Sequence, residues 1–186
     1  MYFLPRYGIE CWQPVFKTGP ETRVSQVRVK MKQVVDWKAA LWAGLISGII
    51  FLAINMVLTA MYVGSPWVIT RLIASIVMGE GVLPPPATFD PVVFAVSILV
   101  NFVLSIIFAC VIAIILHRWG LLVGILGGAV FGLALYFINF YTFTLLFPWF
   151  FPMRSWIMVL SHIVFGACAG GIYEGLEVER YKPVEE

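Results

Sequence analysis

The sequence predicts an all-α membrane protein, with four transmembrane helices and a short interfacial or re-entrant helix between the first and second. Three observations lead there. The 186 residues are 61% hydrophobic and only 12% charged, where a soluble domain carries about a quarter charged residues. Four stretches without a single charge are long enough to cross a bilayer, which takes roughly 20 helical residues. Between them lie Gly-, Pro- and charge-bearing breaks of the kind that end helices.

Residues 1–36 form a polar to mixed arm, expected on the cytoplasmic side. It holds the aromatics Tyr2, Phe3, Tyr7, Trp12 and Phe16 among the basic residues Arg6, Lys17, Arg23, Arg28, Lys30 and Lys32. No stretch of it has a period long enough for a core, so the expectation is a strap that buries its aromatics on another surface. Met31 is an alternative starting point, and residues 1–30 lack the compact apolar core and small-residue cleavage site of a secretory signal.

The transmembrane domain is expected over residues 37–178. Its first span covers about residues 37–63. Gly64-Ser65-Pro66 ends it and restarts the chain, with Ser65 as N-cap and Pro66 at the first helical position. Trp67 to Met78 is a helix of about 12 residues, too short to span. Gly79-Glu80-Gly81 stops it, and Pro84-Pro85-Pro86 stiffens the connector. Asp90-Pro91 then caps and opens the second span, residues 91–117.

The third span, 119–147, lies within Trp119 to Met153, an uncharged run of 35 residues between Arg118 and Arg154. Its first half carries Gly120, Gly124, Gly128 and Gly132, a glycine-zipper spacing that aligns them on one helix face. Small residues in a line let backbones approach where van der Waals contact drives association. Its second half, from Tyr136 to Phe151, is aromatic. The fourth span is residues 155–175, with Gly166 and Gly170 as its small pair, as Gly44 and Gly48 are for the first. Residues 179–186 are a short charged tail. Ten of the twelve Lys and Arg residues fall on the side shared by the two termini, so the positive-inside rule predicts both termini in the cytoplasm.

Counting along the helices at about 1.5 Å per residue puts Asn55, Asn101, Asn139 and His162 at similar depth, in the half opposite the glycine pairs. Two readings of this layer stand: interhelical hydrogen bonds that hold the bundle together, or a small polar pocket for a ligand, proton or ion. Arg71, Glu80, Asp90 and Arg154 are the charges beside it, expected as solvated surface rather than as a lid. Cys11, Cys110 and Cys168 have no metal-ligand spacing. His117 and His162 lie at opposite ends, so they cannot share a haem iron, and His162 by itself is a poor axial ligand candidate. Asp and Glu occur only at or beyond the span ends. No cofactor and no nucleic acid are expected; a bound lipid is compatible with so apolar a chain.

The runs Val35-Asp36-Trp37-Lys38-Ala39-Ala40, Gly79 to Asp90 and Tyr136 to Phe150 together resemble a family of small bacterial four-helix inner-membrane proteins, some of them labelled sodium:proline symporters. The resemblance covers about residues 33–178 and implies the fold and a multi-pass place in the bacterial inner membrane. It implies no mechanism, because the symporters of that label are several times longer and built from repeated, broken helices. With no catalytic constellation, the expected function is a non-catalytic accessory subunit of a larger membrane complex, possible hosts including respiratory and other energy-converting assemblies. The alternative is a small homo-oligomeric transporter or channel using the Asn/His layer.

Overall fold

A computed structural model describes residues 10–15, 25–117, 119–178 and 180–183 of the chain. They fall into two units, Asp36–Glu177 and the joined terminal segments Met1–Val35 and Val178–Glu186.

The first unit is the expected four-helix membrane fold. Helix α1 is Trp37–Val63, α3 is Pro91–Leu116, α4 is Leu121–Phe137 and α5 is Trp156–Leu176; the short α2, Trp67–Met78, lies between the first two. Four of the helices are long and apolar enough to cross a membrane, the third span continuing past α4 to Leu145. Their ends follow local chemistry. Asp36 caps α1 by accepting from Lys38 N at 3.0 Å and Ala39 N at 3.3 Å. Asp90 caps α3 through Val92 N and Val93 N at 2.8 and 3.0 Å, with Pro91 behind it. α2 begins one residue later than expected, with Pro66 rather than Ser65 at the N-cap, and Ser65 Oγ accepts from Trp67 N at 3.3 Å just before it.

Packing splits the bundle into two ends. At one end, small residues bring backbones together. A Cβ at Gly128 or Gly132 would overlap the carbonyl of Gly166 or His162, and one at Gly166 or Gly170 would overlap the carbonyl of Gly128 or Gly124. No side chain therefore fits between α4 and α5 at these four positions. Gly44 faces the Ile106 backbone of α3, where an added Cβ would lie 2.7 Å from Ile106 Cα, and Gly48 faces Ser105 and Asn101. The expected glycine line needs one correction. Gly120 takes no part in this contact: it precedes α4 at φ +79 with nothing within 4 Å of where a Cβ would stand, so its role is the left-handed turn that a residue with a Cβ rarely adopts.

The facing stripe of α3 is Ser97, Asn101, Ser105, Ala109 and Ala113, all buried at intervals of four. Hydroxyls in the spans bond back to their own helix, as Ser47 does to Ala43 O and Thr59 to Asn55 O. A membrane interior offers them no water. Large apolar residues such as Trp42, Ile49, Leu99, Ile107 and Leu126 point outward, which is the orientation a lipid-facing surface requires.

At the other end the helices are bulkier and less regular. After Phe137 the third span widens into a π-helical turn, Ile138–Thr142, and tightens into a 3-10 turn, Phe143–Leu145. A second 3-10 segment, Pro148–Met153, leads to α5. Here Ile69, Leu72 and Ile73 of α2 pack with Tyr136, Phe140 and Met158 into the core of this end, so α2 is an integral layer of the bundle.

The second unit differs from the expectation for the arm and tail. Strands β1 (Glu10–Val15), β2 (Ser25–Val34) and β3 (Arg180–Pro183) form an antiparallel sheet in the order β1-β2-β3. Cys11 stands opposite Val29 and Lys32 opposite Lys182. The alternation of Val27, Val29 and Met31 with Arg28, Lys30 and Lys32 is a strand period, and its second partner comes from the far end of the sequence. Of the five arm aromatics, Tyr2, Phe3, Tyr7 and Phe16 lie outside the described residues, as does Arg118.

Candidate functional site

The four polar residues predicted as one layer are brought into two kinds of place. His162 of α5 and Asn139 of the π turn meet directly. His162 Nδ1 lies 2.7 Å from Met158 O, a carbonyl that only accepts, so Nδ1 carries the proton. Nε2 is then the acceptor, and Asn139 Nδ2 donates to it at 3.3 Å. Both ring nitrogens of His162 are thus engaged by protein groups. The ring itself sits edge-on to Phe51, Tyr136 and Phe140, with centroids 5.2, 6.0 and 5.7 Å away.

Asn55 turns elsewhere. Its Nδ2 donates to Phe51 O at 2.8 Å and its Oδ1 lies 3.1 Å from Ser161 Oγ, tying α1 to α5. Ser161 also lies 2.8 Å from Ile157 O. Asn101 reaches across to Gly48 O at 3.0 Å, tying α3 to α1. Gly48 is seven positions before Asn55, about two helical turns, so the layer is stepped rather than flat.

A cavity of about 210 Å³ lies among α2, α3, the π turn and α5. Asn101, Ser105, Asn139 and His162 supply its polar wall; Asn55 does not reach it. The remaining wall is apolar and rich in phenylalanine, including Phe108, Phe140, Phe147 and Phe165. The sequence marked three of these four polar residues by depth. Ser105 went unmarked, although its place in the four-residue stripe of small residues on α3 was a usable signal.

The irregular backbone around the cavity is held by residues expected to be solvated charges. Arg154 Nε donates to Phe140 O at 2.7 Å and Nη2 to Thr144 Oγ1 at 3.1 Å, while its guanidinium lies 4.3 and 4.2 Å from the centres of the Tyr141 and Phe151 rings. Arg71 donates to Val82 O at 2.8 Å and to Thr88 O at 3.1 and 3.2 Å, pinning the connector onto α2. Where a helix is broken, its carbonyls need other donors, and arginine supplies several from one planar group. Trp149 Nε1 donates to the buried Ser75 Oγ at 3.0 Å and fastens the second 3-10 segment to α2. Glu80 is exposed, as expected.

Among the described residues no group of three or more His, Cys, Asp or Glu side chains comes together. No protein-family model, curated protein or solved structure matches the chain, and its function is read from this geometry.

Proposed function

We propose that the chain is a non-catalytic accessory subunit of a larger bacterial inner-membrane assembly, with both termini in the cytoplasm. The observation that carries this reading is the use made of the polar residues. Asn55 with Ser161, Asn101 with Gly48, and Asn139 with His162 each join two membrane segments. Side chains so engaged hold helices together, which supports a bundle built for position rather than for turnover. The terminal sheet adds a small unit composed of both chain ends, a module suited to docking. A respiratory or other energy-converting assembly is the first host to test.

Purification from native membranes in a gentle detergent, followed by mass spectrometry, tests this directly. Unrelated subunits in fixed stoichiometry are expected. A pure homo-oligomer would instead favour a small transporter or channel. Deleting residues 1–30, which removes β1 and the first six of the ten residues of β2, should leave the bundle inserted and monodisperse while the partner is lost. Reporter fusions within residues 64–90 should read periplasmic and fusions at the C-terminus cytoplasmic.

A further inference from the structure

The cavity between α2, α3 and the π turn has features that helix packing leaves unexplained. At the glycine end the bundle is packed until backbones touch, yet here a space of about 210 Å³ persists. An engineered apolar cavity of about 150 Å³ is enough to hold benzene, so this one has room for one or two rings. Asn101 and Asn139 on its wall each use an amide N–H on the protein, toward Gly48 O and His162 Nε2. Among the described residues neither amide oxygen has a hydrogen-bond partner. Asn139 stands on a π turn, a backbone form found often at functional sites. No Asp, Glu, Lys or Arg lines the space.

These features select a ligand. It must be uncharged, because no charged group in the wall would offset the cost of taking an ion out of water. It must be flat and apolar over most of its surface, to lie among phenylalanine faces and edges. It must carry a hydrogen-bond donor, because the two unused wall atoms are acceptors. Phe143 lines the cavity and is itself exposed within the third span, which puts the opening on the apolar flank of the bundle. We propose that this cavity is a binding site for a neutral, membrane-dissolved ring compound bearing a hydroxyl group, with the hydroxyl donating to Asn139 Oδ1. This goes beyond the accessory-subunit reading and stands or falls independently of it.

The test uses the full chain in phosphatidylcholine nanodiscs and three probes: 1-naphthol, naphthalene and 1-naphthoate. Calorimetric titration against empty nanodiscs separates a site from partitioning into lipid. Saturable 1-naphthol binding at one site per chain is expected. Naphthalene should bind about tenfold more weakly, the effect of one lost hydrogen bond of ordinary strength, and 1-naphthoate should not bind. Asn139→Leu should bring 1-naphthol down to the affinity of naphthalene and leave naphthalene unchanged. Ile76→Trp or Leu104→Trp, two half-buried wall positions on different helices, should abolish both; whichever keeps the parent's elution profile serves as the blocking variant. The proposal is overturned by heats that match empty nanodiscs, by equal binding of all three probes, or by full 1-naphthol affinity in a folded blocking variant.

Discussion

Where Gly128 meets Gly166, two helix backbones touch with no side chain between them; where Phe140 meets α2, the same bundle is held by rings, hydrogen bonds and an arginine, and a cavity remains. The difference is one of tolerance. A backbone-to-backbone contact between α4 and α5 has no adjustable part, so any added atom must push two helices apart. The aromatic end is assembled from side chains that can repack, and its backbone departs from α-helix at Ile138–Thr142. Regular helix needs no outside donors; the π and 3-10 turns do, and Arg154, Thr144 and Trp149 supply bonds to this end.

The sharpest way to break the comparison is to add a methyl group at the glycine end. Gly128→Ala should destabilise the bundle by about 2–3 kcal/mol, the upper range for overpacking, and Gly128→Leu should prevent a monodisperse protein from forming. Gly175→Ala, where the structure has open space, should be neutral to slightly stabilising. Thermal unfolding in detergent measures all three; equal tolerance at Gly128 and Gly175 would mean that the α4–α5 contact is not made.

At the aromatic end the largest effect is expected from Arg154. Arg154→Ala removes two bonds from a charged group and should cost about 1.5–3 kcal/mol. Arg154→Lys should recover little of it, since a compact ammonium cannot bond Phe140 O and Thr144 while also lying against the Tyr141 and Phe151 rings. A lysine variant with parental stability would show that charge alone suffices there. Both variants should also shift Trp149 fluorescence, because that residue lies on the segment Arg154 fastens.

Smaller effects separate bonds made by side chains in the two settings. Ser75→Ala and Trp149→Phe should show a coupling of about 1 kcal/mol in a double-mutant cycle. The interhelical pair Asn55 and Ser161 should couple by only about 0.6 kcal/mol, the average for such bonds within membranes. Reversal of that order would move the stabilising weight from the aromatic cap to the middle of the spans.

Much of this molecule follows from local sequence. The ends of α1 and α2 at Val63 and Met78 coincide with the Gly-Ser-Pro and Gly-Glu-Gly breaks, and Asp90-Pro91 opens α3 as its residue types dictate. Four spans follow from uninterrupted apolar length against a fixed bilayer thickness, a comparison that needs no tertiary contact. Gly124, Gly128, Gly132, Gly166 and Gly170 were legible as packing faces because helical periodicity alone aligns them. Depth counted along each helix paired Asn139 with His162 but not Asn101 with Asn55, since Asn101 stands level with Gly48, and direction around the axis was not legible at all. Asn55 facing Ser161, and Asn139 facing His162 at the cavity, depend on how each helix is rotated against its neighbours. The pairing of β2 with β3, the carbonyls that Arg71 and Arg154 serve, and the cavity itself were likewise decided by the tertiary structure. Each joins groups far apart in the chain, or arises from the space that helices leave between them.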